Sequence, residues 1–179
     1  MPNHVKNVIK FKNLKPDDIE LILNMIASPR IVPADPIEKT EYVIDFDKII
    51  PEPRTKKECP KAYLVTKTSH IMERKDKPWF DWYKWHLNCW GTKWGAYDAY
   101  TIIGKSYITF VFNTAWTSPT PIITKLKLLG YELDIRYADE DWGSNCGKIT
   151  WTSEHGWEYQ SEESLANPVN FARRLWNTY

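Results

Sequence analysis

Four stretches of the chain carry side chains whose types and spacing suit chemistry. Trp90-Gly91-Thr92-Lys93-Trp94 sets an ammonium between two indoles. Two indoles with a cation beside them can clamp a base or hold a nucleotide phosphate. The same residues can instead wedge a helix against a sheet, with Thr92 capping backbone groups. Asn113-Thr114-Ala115-Trp116-Thr117-Ser118-Pro119 is open to the same two readings. Its amide and hydroxyl can bond a ligand or simply build a turn. A helix starting after Ser118 would also offer N–H groups to an anion. Asp139-Glu140-Asp141-Trp142 places three carboxylates in a row. That is a donor set for a divalent cation or for acid–base work, although such runs are usually solvated turns. His86 and Cys89 would be near neighbours on a helix, a thiol–imidazole pair if anything oriented the ring.

The candidate binding set is Trp90, Thr92, Lys93, Trp94, Asn113, Thr114 and Trp116. In an extended segment Thr92 and Trp94 would point to one side and Lys93 to the other. The two strings share a pocket only if they sit at one end of neighbouring strands. No catalytic residue, metal ligand or cofactor motif is assigned. Glycines are few, and no phosphate-binding glycine loop occurs.

The elements that must position these residues follow from periodicity. Val5–Phe11 alternates and reads as a strand. Lys15-Pro16-Asp17-Asp18 opens a helix that Ser28-Pro29 ends. Residues 29–41 hold three prolines and read as a loop, and Tyr42–Ile50 as a second extended segment. Residues 54–77 read as an exposed insertion. Trp79, Trp82, Tyr83, His86 and Trp90 fall on one helical face, which reads as core, with Trp85 and Cys89 on another. Gly91 ends that helix. Lys93–Ile103 and Ser106–Asn113 form a hairpin around Gly104-Lys105. Ser118 caps a helix with Pro119 in its first position. Tyr131–Tyr137 is a strand, Cys146–Thr152 and Gly156–Tyr159 a last hairpin, and Asn170–Trp176 a terminal helix. Strand–helix–strand repeated in this way gives an α+β, ferredoxin-like split βαβ sandwich: one domain over 1–179, an antiparallel sheet with helices on one face. Residues 153–179 form a C-terminal extension.

Composition narrows the function classes. Twenty-four basic and 23 acidic residues leave a net charge of +1. That disfavours a bulk nucleic-acid binder, which needs a basic surplus. Nine of the 12 prolines lie in 1–78 and all ten tryptophans in 79–179, so the aromatic chemistry belongs to the second part. Cys59, Cys89 and Cys146 are odd in number and lack metal-site spacing, which points to reduced thiols. No apolar run is long enough to span a membrane, and Met1-Pro2-Asn3-His4 lacks a signal pattern. A cytoplasmic protein without a membrane partner is expected.

Several strings also resemble a known family. Met1-Pro2-Asn3 with Asn7, Phe46-Asp47-Lys48-Ile49-Ile50-Pro51-x-Pro53, W-G-T-K-W and N-T-A-W-T-S-P occur here in the order seen in the YubB-like, ferredoxin-like proteins of bacteriophages and plasmids. His4 departs from that pattern, where tryptophan then cysteine is usual. The resemblance implies the fold, a mobile-element origin and the bacterial host cytoplasm, but no activity.

Three functions are then in play. The leading one is a non-enzymatic binding protein of a phage or mobile element that sequesters a host protein or a nucleotide-like small molecule, with counter-defence as a role that fits the origin. The second is a protein associated with single-stranded nucleic acid, since ferredoxin-like sheets can stack bases on aromatics. The third is an enzyme using Asp139–Asp141 or His86/Cys89.

Overall fold

The computed structural model of the chain describes residues 3–33, 39–65, 76 and 79–179. Its frame is a six-stranded antiparallel sheet. Strand β1 (His4–Lys12) is central, because Val5, Asn7, Ile9 and Phe11 are buried on one face and Val8 on the other. Helix α1 (Pro16–Ile26) opens with a proline and two acids in its first turn. Its Ile22, Leu23 and Ile26 enter the main core. Two strands, β2 (Ala27–Val32) and β3 (Lys39–Ile44), make a separate two-stranded sheet.

Short helix α2 (Phe46–Ile49) and helix α3 (Trp82–Cys89) complete the connection to β4 (Tyr97–Ile103) and β5 (Ile108–Ala115). Helix α4 (Thr120–Leu126), β6 (Glu132–Asp139), β7 (Cys146–Thr152), β8 (Gly156–Ser161) and α5 (Pro168–Thr178) follow. The sheet order is β4-β5-β1-β6-β7-β8. Its first four strands with α1 and α4 are a ferredoxin-like βαββαβ unit, so the fold is α+β and ferredoxin-like.

The faces are unequal. Ile9, Phe11, Phe110, Phe112, Leu133 and Ile135 share one core with Ile22, Ile122 and Trp90. Val8, Val111 and Ala138 meet Ala172 and Leu175 on the opposite face. Helices of the βαββαβ unit therefore cover one side, while α5, at the end of the chain, lies on the other. The added strands β7 and β8 widen the sheet beyond β6.

Several local expectations need correction. Residues 29–41 are not simply a loop, since β2 runs through Pro29, paired with Tyr42. That strand belongs to a two-stranded sheet outside the main one, where a missing N–H is tolerated. Tyr42–Ile50 is not one extended run. The Asp45 carboxylate accepts from the Asp47 N–H and starts α2. Within 54–77, residues 54–58 are exposed as expected, but Cys59 is buried and Tyr63 and Leu64 pack on the core. Residues 66–75 and 77–78, including Pro78, lie outside the described residues. Ser118 does not cap α4. Pro119 occupies the cap position, and the Ser118 hydroxyl is buried without a hydrogen-bond partner among the described residues.

Candidate functional site

Helix α3 delivers the first motif. Asp81 caps it by accepting from the Lys84 N–H, and Gly91 ends it with φ +79°. A Cβ at Gly91 would sit 2.6 Å from Pro121 Cδ, so glycine also allows the start of α4 to close onto this turn. Trp85 and His86 are the buried residues of α3, while Trp82 and Tyr83 are half-buried. The core face thus runs one residue round from the expected strip.

His86 is 6 % exposed and fully engaged. Its Nδ1 lies 2.8 Å from the Lys93 carbonyl oxygen, so that nitrogen carries a proton and donates. Its Nε2 lies 2.5 Å from Oε1 of Glu52, itself 7 % exposed. The imidazole stacks on the Trp90 indole at 4.0 Å and 19°. Neither ring nitrogen is left for Cys89, whose Sγ faces the Tyr63 hydroxyl at 3.9 Å. The thiol–imidazole pair that the sequence left open does not form.

Trp90 is 6 % exposed, donates from Nε1 to the Ile50 carbonyl, and meets Phe46 and Trp85 edge-on. Thr92 is completely buried: its hydroxyl donates to the Ala115 carbonyl at 2.7 Å and accepts from the Ala115 N–H at 3.1 Å. Thr114 is buried as well. It accepts from Asn7 Nδ2 and donates to the Thr117 carbonyl. Thr92 ties the turn after α3 to the end of β5, Trp90 ties it to Ile50, and Thr114 joins β5 to β1; all three are buried. Asn113 faces the other side of the sheet from Thr114, bonded to Asp98.

Lys93, Trp94 and Trp116 do come together, joined by Tyr83. The Lys93 ammonium stands 4.8 Å from the Trp94 ring centre, 5.4 Å from Trp116 and 6.0 Å from Tyr83. Tyr83 and Trp116 meet edge to face at 6.3 Å. Trp94 is 37 % exposed. The chain between Gly91 and Gly95 bends instead of extending, and β4 begins only at Tyr97. Alternation therefore fails here: Thr92 goes inward while Lys93 and Trp94 share the surface.

Trp116 has φ +73°, a left-handed backbone that a bulky side chain rarely adopts. Two long-range bonds hold it: its N–H donates to the Asn3 carbonyl at 2.9 Å, and Asn145 Nδ2 donates to its carbonyl at 2.8 Å. The acidic turn serves this brace. Asp139 is buried and accepts from Asn3, Asn145 and the Asp141 N–H. Glu140 accepts from the His4 N–H. Beside them, His4 Nδ1 lies 2.5 Å from the Tyr97 hydroxyl, and burial, with the charges of Asp98 and Glu140, pushes Tyr97 up to about 12.

The sequence reading missed Tyr83 as a surface ring, Glu52 as the partner of His86, and Asn3, Asp139 and Asn145 as the brace of Trp116. Glu52 lay in plain view between Pro51 and Pro53. No spacing rule links it to a histidine 34 positions away.

No curated protein and no solved structure matches the chain. Residues 89–177, from the end of α3 into α5, match the family model described as the ferredoxin-like domain in Api92-like protein.

Proposed function

We propose that the chain is a non-enzymatic binding protein that holds a protein partner through Tyr83, Lys93, Trp94 and Trp116. The observation that carries this reading is Trp116 itself. A tryptophan held at φ +73° by bonds from Asn3 and Asn145 keeps its ring at a half-buried surface beside an exposed Trp94. Backbone strain of this kind costs about 1–3 kcal/mol and persists only where the surroundings enforce it. Tryptophan and tyrosine around a cation are also the residue types that dominate binding energy at protein interfaces. The resemblance of the motif strings to YubB-like proteins of phages and plasmids supports a host component as the partner, with counter-defence as the setting and the bacterial cytoplasm as the compartment. No helix of the described residues is long and apolar enough to cross a membrane.

The test is affinity capture from bacterial lysate by the whole chain, read by quantitative mass spectrometry. Trp94→Ala and Lys93→Glu are compared with Trp157→Ala, which truncates an exposed indole elsewhere. A hot-spot loss of about 2 kcal/mol weakens binding about 30-fold. A partner retained by wild type and Trp157→Ala but lost from Trp94→Ala is expected. Retention of no protein, or equal retention by all variants, overturns the reading.

A further inference from the structure

The face of the sheet under α5 carries a second feature, independent of the Trp94 surface. A cleft of about 550 Å³ opens between β6 and α5, lined by Arg136, Leu165, Asn167, Asn170, Phe171 and Arg174 among others. Arg136 is locked in place, with Nε and Nη2 donating to the two carboxylate oxygens of Asp134 at 2.9 and 3.2 Å. Its remaining Nη1 has no partner among the described residues. Arg174, one turn along α5 from Asn170, forms no hydrogen bond or ion pair among the described residues. Lys148 stands opposite Arg136 in the register of β6 and β7, on the same face. Of the acids on this face of the strands, Asp134 is spent on Arg136 and Glu158 accepts from Thr150, while Tyr179, which lines the cleft, also acts on Arg136 as a negative charge. Lys6 is spent on the Tyr179 main-chain oxygen. Arg174 is thus left as the unpaired cation of the cleft among the described residues.

The rest of its lining is not ionic. Phe171 is half-buried, and Leu165 and Leu175 add apolar wall. Asn167 Oδ1 is used in capping α5, but the Asn170 amide has no partner among the described residues. An arginine edge matches a phosphate by paired N–H donors, an aromatic wall takes a planar ring, and a free amide reads the edge of that ring. The volume lies within the range of small-molecule sites.

We infer that this cleft is a binding site for a nucleoside monophosphate, its phosphate on Arg174 and the open edge of Arg136, its base against Phe171. A bare anion would leave the apolar wall unused, and an uncharged nucleoside would leave Arg174 unanswered.

Isothermal titration of the full chain with AMP, GMP, CMP and UMP tests this, with the matching nucleosides and inorganic phosphate as controls. At least one nucleotide should bind ten times or more tightly than both its nucleoside and phosphate. Arg174→Gln should weaken that binding about tenfold or more, the scale of one charge-assisted contact. Because Arg174 is exposed, that variant should melt with the wild type. Trp94→Ala should bind the nucleotide unchanged, which separates this site from the protein-binding surface. Absence of binding by all four nucleotides, equal binding of phosphate alone, or indifference to Arg174→Gln overturns the inference.

Discussion

The buried pair of His86 and Glu52 makes the sharpest demand on the fold. Replacing His86 by phenylalanine keeps a ring to stack on Trp90 but takes the imidazole from a carboxylate that is 7 % exposed. Removing one partner of a buried charged pair costs about 3–5 kcal/mol. For a chain of this size each kcal/mol lowers the melting temperature by about 2–4 °C, so His86→Phe should melt about 6–20 °C lower. Glu52→Gln asks a finer question. Nδ1 must donate to the Lys93 carbonyl, so a neutral His86 presents Nε2 as an acceptor. A glutamine amide can donate to it, and the loss should stay near about 1 kcal/mol. Glu52→Ala leaves that nitrogen buried without a partner and should cost about 1–3 kcal/mol plus the void.

Urea unfolding followed by tryptophan fluorescence ranks the variants, with the ordering Glu52→Gln, Glu52→Ala, His86→Phe expected from least to most destabilised. The ring also holds the Lys93 carbonyl, so His86→Phe should loosen the placement of Lys93 and Trp94 and weaken partner capture beyond its effect on stability. A loss below about 1 kcal/mol for His86→Phe, or a Glu52→Gln loss equal to it, would refute the reasoning.

Gly91→Ala places a Cβ on a left-handed backbone and against Pro121, so a loss of about 2–4 kcal/mol in urea unfolding is expected. Thr92→Val should cost about 1–3 kcal/mol by leaving the Ala115 N–H without its acceptor, whereas Thr92→Ser should recover most of it. An unfolded tyrosine ionises near 10 and Tyr97 near 12, so the unfolded chain releases its proton first as the pH rises. The stability tied to Tyr97 is therefore whole below about pH 10 and falls between about 10 and 12. Tyr97→Phe should flatten that part of the decline, and urea midpoints that fall in parallel would contradict it.

What the sequence made legible was whatever a single period could express. Ile108, Phe110 and Phe112 alternate because one face of β5 enters the main core, and α1, β6 and the β7–β8 hairpin were readable for similar reasons. Bonds that interrupt a period were not. Asp45 stops β3 with a hydrogen bond two residues long, and hydrophobic patterning carries no trace of it. Pro29 looked like a break, yet in a two-stranded sheet its missing N–H disturbs little. The left-handed Trp116 has no local signal at all, since its support comes from Asn3 and Asn145, each remote in sequence. The candidate set was found by residue type, and only burial could sort it.

That sorting changes what the W-G-T-K-W string means. Packing and binding were posed as rival readings of one motif, but the bend after Gly91 sends some of its residues inward and leaves others at the surface. Trp90 and Thr92 turn inward and fasten α3 to Ile50 and Ala115. The Lys93 carbonyl faces inward to His86 while its ammonium joins Trp94 at the surface. The surface residues are therefore held by the buried ones through a few covalent bonds. A protein partner meeting Trp94 and Trp116 would meet rings carried on backbone that His86, Thr92 and Asp139 help to anchor. Little ordering entropy would then be spent on binding, which is the condition under which a small aromatic patch can grip tightly without enclosing its guest.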